Sequence, residues 1–185
     1  MNIQKIGVIG AGTMGCGIAQ VAAQSGYEVV LKDVKEEYVK AGFAKIKERL
    51  VKRTGEGKLG ILEKDRILSN IKTTTSLEEC RNADLVIEAV VEKEDIKKHI
   101  FKELDTICND ETIFASNTSS ISITRLAKIT KRPERFAGMH FMNPAYAMKL
   151  VEVVKGMHTS DETVNIITAV AGIMGKIPVV VNDFP

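Results

Sequence analysis

The sequence has no uninterrupted apolar run near the roughly 18 residues needed to cross a bilayer, so a membrane-spanning helix is not expected. Its three cysteines, Cys16, Cys80 and Cys108, are odd in number and far apart. That spacing argues against both a disulfide framework and a zinc site, and no metal is expected. Charge of one sign is also missing: 26 basic and 24 acidic residues leave a formal net charge of +2, with no charged tail. Such a balance offers nothing to a nucleic-acid backbone. The first residues lack the charged-then-apolar layout of a secretory leader and read directly as a strand. Repeats, low-complexity tracts and interior linkers are absent as well. One domain over residues 1–185, in a reduced cytoplasmic compartment, is the simplest expectation.

What is present is an ordinary globular composition, 44% hydrophobic and 27% charged, with short apolar runs alternating with longer amphipathic stretches. That alternation predicts an α/β fold of the Rossmann type, a doubly wound and mostly parallel sheet with helices on both faces. Strands are expected at residues 5–10, 28–32, 85–91 and 112–116, then at 135–141 and 150–154 around Asn143-Pro144, and finally at 177–181. Pro178 places that last strand at an edge. Helices are expected at 14–25, 35–53, 63–70 and 94–107, and from a cap at Ser160 or Asp161 to Met174. In the second of these, Val39, Phe43, Ile46 and Leu50 recur at three- and four-residue steps, forming one apolar face.

The chemistry begins at Gly10-Ala11-Gly12-Thr13-Met14-Gly15, a G-x-G-x-x-G between the first strand and first helix. Gly10 permits a tight turn, Gly12 lets backbone approach a pyrophosphate, and Gly15 lets helix pack on strand. The pyrophosphate then rests on unpaired N–H groups at the helix N-terminus, with Thr13 and Met14 in the first turn. Asp33 ends the second strand, where a carboxylate accepts from the adenosine ribose and repels a 2′-phosphate. NAD is therefore expected rather than NADP, although Lys32 and Lys35 flank the acid. Further along, small polar groups cluster at residues 115–120, His140 ends a strand, and Glu152 sits among apolar neighbours, where a carboxylate needs a partner.

Four stretches carry a family resemblance: IGVIGAGTMGCGIAQVAAQSGYEVVLKD, DLVIEAVVEKEDIKK, IFASNTSSISI and RFAGMHFMNPAYAMKLVEVV. The chain resembles the 3-hydroxyacyl-CoA dehydrogenases, including their bacterial 3-hydroxybutyryl-CoA members. The resemblance implies His140 and Glu152 as a catalytic pair and Ser119 as a catalytic and substrate-binding residue. It implies cofactor contacts from Ala89, Glu92, Lys97, Asn117, Ser119 and Asn143. It also implies an acyl-CoA substrate and, beyond Asn182-Asp183-Phe184-Pro185, an all-helical domain through which a full-length enzyme dimerises. With that domain missing, the chain by itself is expected to bind cofactor and turn over little.

Chemistry accords with these roles. A histidine with an ordinary pKa of about 6.5 can take or return a hydroxyl proton near neutrality, and a carboxylate on its other nitrogen fixes the tautomer. Lys45, Lys47, Arg49, Lys52 and Arg53 crowd the second helix, either as a solvated basic face or as a seat for the phosphates of coenzyme A. The resemblance implies that seat for this helix, with Arg49, Lys52 and Arg53 the expected residues. Cys16 reads as a packing residue, His99 and His158 as surface residues, and Met139, Met142 and Met148 as core, hinge or acyl-pocket side chains. Two other functions remain open at this level: an NAD(H)-binding module without catalysis, and a dehydrogenase of a free hydroxy acid or sugar acid.

Overall fold

A computed structural model describes residues 2–183. Phe184 and Pro185, part of the expected lead into a further domain, lie outside the described residues. Eight strands form one sheet: β1 (Lys5–Ile9), β2 (Glu28–Lys32), β3 (Ile71–Thr74), β4 (Leu85–Glu88), β5 (Ile113–Ser116), β6 (Phe136–Phe141), β7 (Leu150–Lys155) and β8 (Ile177–Asn182). Their spatial order is β3-β2-β1-β4-β5-β6-β7-β8. The first six run parallel, β7 is antiparallel to β6, and β8 runs parallel to β7. The expected doubly wound sheet is present, and the Pro178 strand is its edge. Chain order reverses between β1 and β4, the position where open α/β sheets leave a ligand crevice.

The strands read as continuous apolar runs because both faces are covered. Leu85 and Ile87 of β4 pack with α1 (Thr13–Gln24), α2 (Glu36–Gly55), α3 (Ile61–Ser69) and α6 (Asp161–Ile173). Between them, Val86 points to the opposite core with α4 (Glu94–Ile107) and α5 (Ile123–Ala127). In α2 the expected face is confirmed, with Val39, Ile46 and Leu50 buried and Phe43 half-buried. Ser160, not Asp161, caps α6, its hydroxyl accepting from the Thr163 N–H at 3.1 Å.

Three elements differ from the periodicity reading. The strand expected to reach Val91 stops at Glu88, because the Glu88 carboxylate accepts the Val90 N–H at 2.7 Å and turns the chain into the crevice. β3 was not expected: its sequence, IKTT, is half exposed and carries no apolar alternation, and only pairing with β2 makes it a strand. The short helix α5 was not expected either. Ser122 caps it locally, and the distant Asp183 carboxylate accepts from Ser122 Oγ and Thr124 N–H at 2.8 Å and from Ile123 N–H at 3.2 Å. The three cysteines are free and buried, and Cys16 is the packing residue expected. His99 and His158 are exposed, and Met139 is core.

The core between α4 and the sheet is anchored by Phe101, Phe114 and Phe136. The Phe101 and Phe136 rings meet edge-on at 4.6 Å, and Phe114 lies 5.8 Å from Phe101. Phe101→Ala is expected to cost about 3–5 kcal/mol, since a fully buried ring leaves a cavity its neighbours cannot fill. Urea denaturation measures this. A loss below about 1 kcal/mol would show that the cluster closes around the gap.

Candidate active site

The glycine turn is built by close approach. Gly10 has φ of +105°, and a Cβ there would lie 2.6 Å from the Ala89 carbonyl oxygen. A Cβ on Gly15 would stand 1.7 Å from the Gly10 oxygen. Helix α2 presses in from the other side, where a Cβ on Gly42 would meet the Ala11 oxygen at 2.6 Å. Gly12 is the exception, with nothing within 4 Å of its Cβ position. No side chain caps the first turn of α1, which holds Thr13, Met14 and Gly15. Asp33 ties into the same turn, its Oδ2 accepting the Ala11 N–H at 2.6 Å and its Oδ1 the Val34 N–H at 2.7 Å.

Two cavities meet along this edge of the sheet. One of about 490 Å³ is lined by Gly10, Gly12, Asp33, Tyr38, Gly42 and Lys45, among others. The second, about 280 Å³, is lined by Met14, Glu92, Asn117, Ser119, His140, Met142 and Asn143. Ala89 and Val90 border both, so the two form one crevice crossing the β1–β4 reversal. The first holds the glycine loop and Asp33; the second gathers Ser119 and His140, with Glu152 outside its lining.

His140 and Glu152 face each other across the antiparallel β6–β7 pair, in register, with Nδ1 2.8 Å from Oε2. Both remain partly exposed, at 22% and 37% of their side chains. Asn117 Oδ1 accepts the Phe141 N–H at 2.8 Å, tying the end of β5 to the strand that carries His140. Asn143 forms a cis peptide with Pro144 in the β6–β7 turn. Glu92 gathers the Ser119 segment: its Oε1 accepts from the Thr118 hydroxyl, from Ser119 N–H at 3.1 Å and from Ser120 Oγ at 3.3 Å. Burial pushes the Glu92 carboxyl upward, but the Thr118 hydroxyl and the Lys97 charge outweigh it, leaving it below the usual carboxylate range.

Some expected residues are placed differently. Lys97 presents almost no surface; its ammonium is held by Glu88 and Glu92 beneath the crevice, so it reaches the cavity only through Glu92. Arg49 packs over the Tyr146 ring at 4.7 Å and donates from Nε to Gln20 at 2.7 Å. Lys52 and Arg53 are exposed at the end of α2, and none of these three lines either cavity. Lys45, one turn earlier on the same basic face, does line the larger cavity, although it is not among the three residues expected at the substrate. Glu88 was also missed, because a lone acid inside LVIE gives no sign of its partner until the fold supplies one.

Residues 5–184 match the family described as 3-hydroxyacyl-CoA dehydrogenase, NAD binding domain. The chain belongs to that family. It is 51% identical to a probable 3-hydroxybutyryl-CoA dehydrogenase of Deinococcus radiodurans, over 98% of this chain and 65% of the relative. It is 48% identical to another of Bacillus subtilis, over 100% of this chain and 64% of the relative. The crystal structure of an (S)-3-hydroxybutyryl-CoA dehydrogenase from Ralstonia eutropha superposes with a TM-score of 0.97 at 43% identity, over all of this chain and 65% of that one. This NAD-binding domain thus spans 64–65% of the length of these two relatives.

The crevice fits the cofactor that the family name implies. Gly12 faces open space where a side chain would intrude, the first turn of α1 lacks a capping side chain, and Asp33 stands at the end of β2. Gly12→Ala is therefore expected to leave stability within about 1 kcal/mol while weakening NADH binding more than about tenfold. Calorimetry and fluorescence titration check both halves; undiminished binding would remove Gly12 from the pyrophosphate site. Asp33→Ala is expected to lower the ratio of NADH to NADPH affinity by about tenfold, through lost repulsion of the 2′-phosphate. Titration with the two cofactors measures it, and an unchanged ratio would assign the preference elsewhere.

Proposed function

We propose that this chain is the cofactor-binding and acid–base half of an NAD-dependent 3-hydroxyacyl-CoA dehydrogenase acting on short acyl chains, interconverting 3-hydroxybutyryl-CoA and acetoacetyl-CoA. The observation that carries the reading is the 2.8 Å contact from Glu152 to His140, which lines the cavity that continues into the glycine-loop crevice. A module that only senses NAD(H) has no use for a general base there.

A carboxylate can only accept, so with Glu152 ionised the Nδ1 of His140 carries the proton and Nε2 keeps its lone pair. In the oxidative direction Nε2 takes the hydroxyl proton, and the Glu152 charge stabilises the imidazolium that forms. In the reductive direction the imidazolium returns the proton. Ser119 would hold the substrate oxygen, with Glu92 fixing its backbone. Gly12, Met14, Asp33, Asn117 and Asn143 would hold the dinucleotide, which when bound supplies the hydride acceptor or donor. Lys52 and Arg53 are exposed cations for the phosphates of coenzyme A. The Arg49 Nε is taken by Gln20 and its plane lies over Tyr146, while its Nη2 is buried with no hydrogen-bond partner among the described residues.

His140→Gln in the enzyme at the length of its relatives is expected to cut reduction of acetoacetyl-CoA by NADH about 10²–10⁴-fold. NADH affinity should hold, because the glycine turn is untouched. Retention of more than about half the activity would remove His140 as the base. A polypeptide of residues 1–185 alone is expected to bind NADH and turn over slowly, because alignment of the reactants can be worth about 7–11 kcal/mol of barrier. In the relatives a further third of the chain is available to supply it. Equal rates for the short and long forms would show the site to be complete in this domain.

A further inference from the structure

Beneath the crevice lies an ion pair that the reaction scheme above does not use. The Lys97 ammonium sits 2.7 Å and 2.9 Å from the two oxygens of Glu88, and both side chains are at most 1% exposed. Glu88 is fully engaged: it also accepts from Ser116 Oγ at 2.6 Å and from Val90 N–H at 2.7 Å. Lys97 has one further contact, with Glu92 Oε2 at 3.1 Å. The other oxygen of Glu92 collects Thr118, Ser119 and Ser120, and the Thr118 hydroxyl accepts the N–H groups of Ser120 at 3.3 Å and Ile121 at 3.0 Å. A continuous polar chain therefore runs from the floor of the sheet to the segment bearing Ser119.

Stability does not explain such a pair. Desolvating two charges costs as much as their attraction returns, and apolar replacements of similar volume are often neutral or stabilising. What a buried, doubly held ammonium provides is a fixed point. Lys97 loses its flexibility, and the charge it does not share with Glu88 is directed at Glu92. We propose that Glu88 and Lys97 are positioning residues for Ser119: the buried pair holds Glu92 in place, and Glu92 fixes the backbone of residues 118–121 in the cavity that His140 lines. This rests on the reading of Ser119 as the group that holds the substrate oxygen.

The test is the double variant Glu88→Gln with Lys97→Met, which removes both buried charges and leaves an amide whose oxygen can accept the Val90 N–H while its NH2 donates to Ser116 Oγ. The expected result is an unchanged melting temperature, with amide hydrogen exchange at Ser119, Ser120 and Ile121 faster by about tenfold or more in the cofactor-free protein. In the enzyme at the length of its relatives, kcat for acetoacetyl-CoA should fall at least about tenfold. A pair that served only the fold would change the melting temperature and leave these three amides protected. Should the double variant fail to melt cooperatively, Lys97→Met alone, in which Glu88 can take up a proton, is read in the same way. Unchanged exchange, or faster exchange with undiminished kcat, overturns the proposal. A wild-type enzyme inactive on acetoacetyl-CoA would instead sink the reading of Ser119, and the exchange measurement would still decide the positioning role.

Discussion

Gly10, Gly15 and Gly42 bring the end of β1, the start of α1, the β4 exit and the middle of α2 closer together than a methyl group allows. A Cβ at any of the three would lie within 2.6 Å of a backbone oxygen. The crevice depends on this contact. It sets α1 with its uncapped first turn against the strand ends, and it places α2 so that Tyr38 and Lys45 wall the larger cavity. It also holds Ala89 and Val90 where the two cavities meet. Gly12, in the same turn, differs in kind: its missing side chain leaves space for a ligand, where the other three leave space for the protein.

Polar groups in this domain are sorted along the sheet. Two apolar cores occupy its faces, and one edge carries Glu88, Ser116, Asn117 and Thr118 at or just past the ends of β4 and β5. Buried there without partners, each would cost more than it contributes. The fold meets that cost with mutual bonds: Glu88 with Lys97 and Ser116, Asn117 with Phe141, and Thr118 with Glu92. The same bonds give the crevice a rigid floor. The strand that departs from parallel order, β7, brings Glu152 opposite His140, which no parallel neighbour of β6 provides.

Much of this was legible in the residues, and the exceptions share a cause. The long apolar strands and the α2 face at Val39, Ile46 and Leu50 follow from local periodicity, and the glycine loop from a short pattern in strand–helix context. β3 is not legible in the sequence because IKTT is half polar and becomes a strand only beside β2. α5 is hidden because part of its cap, Asp183, lies far away in sequence. The strand at Leu85 is shorter than its apolar run because LVIEAVV is uniformly apolar apart from its glutamate, and that glutamate ends it. The basic side chains of α2 share a helix, yet packing on Gln20 and Tyr146 takes up Arg49, while Lys45 is the one that reaches the crevice.

By itself the sequence determined the α/β class, the succession of strands and helices, and the glycine turn with its acidic companion at Asp33. These rest on spacing within about one element and on the chemistry of a single turn, which neighbouring residues carry. Tertiary structure decided how the charges meet, including the His140–Glu152 pair that the family resemblance already implied. His140 reaches Glu152 through the register of two antiparallel strands, and Lys97 reaches Glu88 and Glu92 because α4 packs across the end of β4. A linear chain lists donors and acceptors without their distances. Whether a buried charge is a cost or an anchor depends on those distances, and they are set only when the sheet closes.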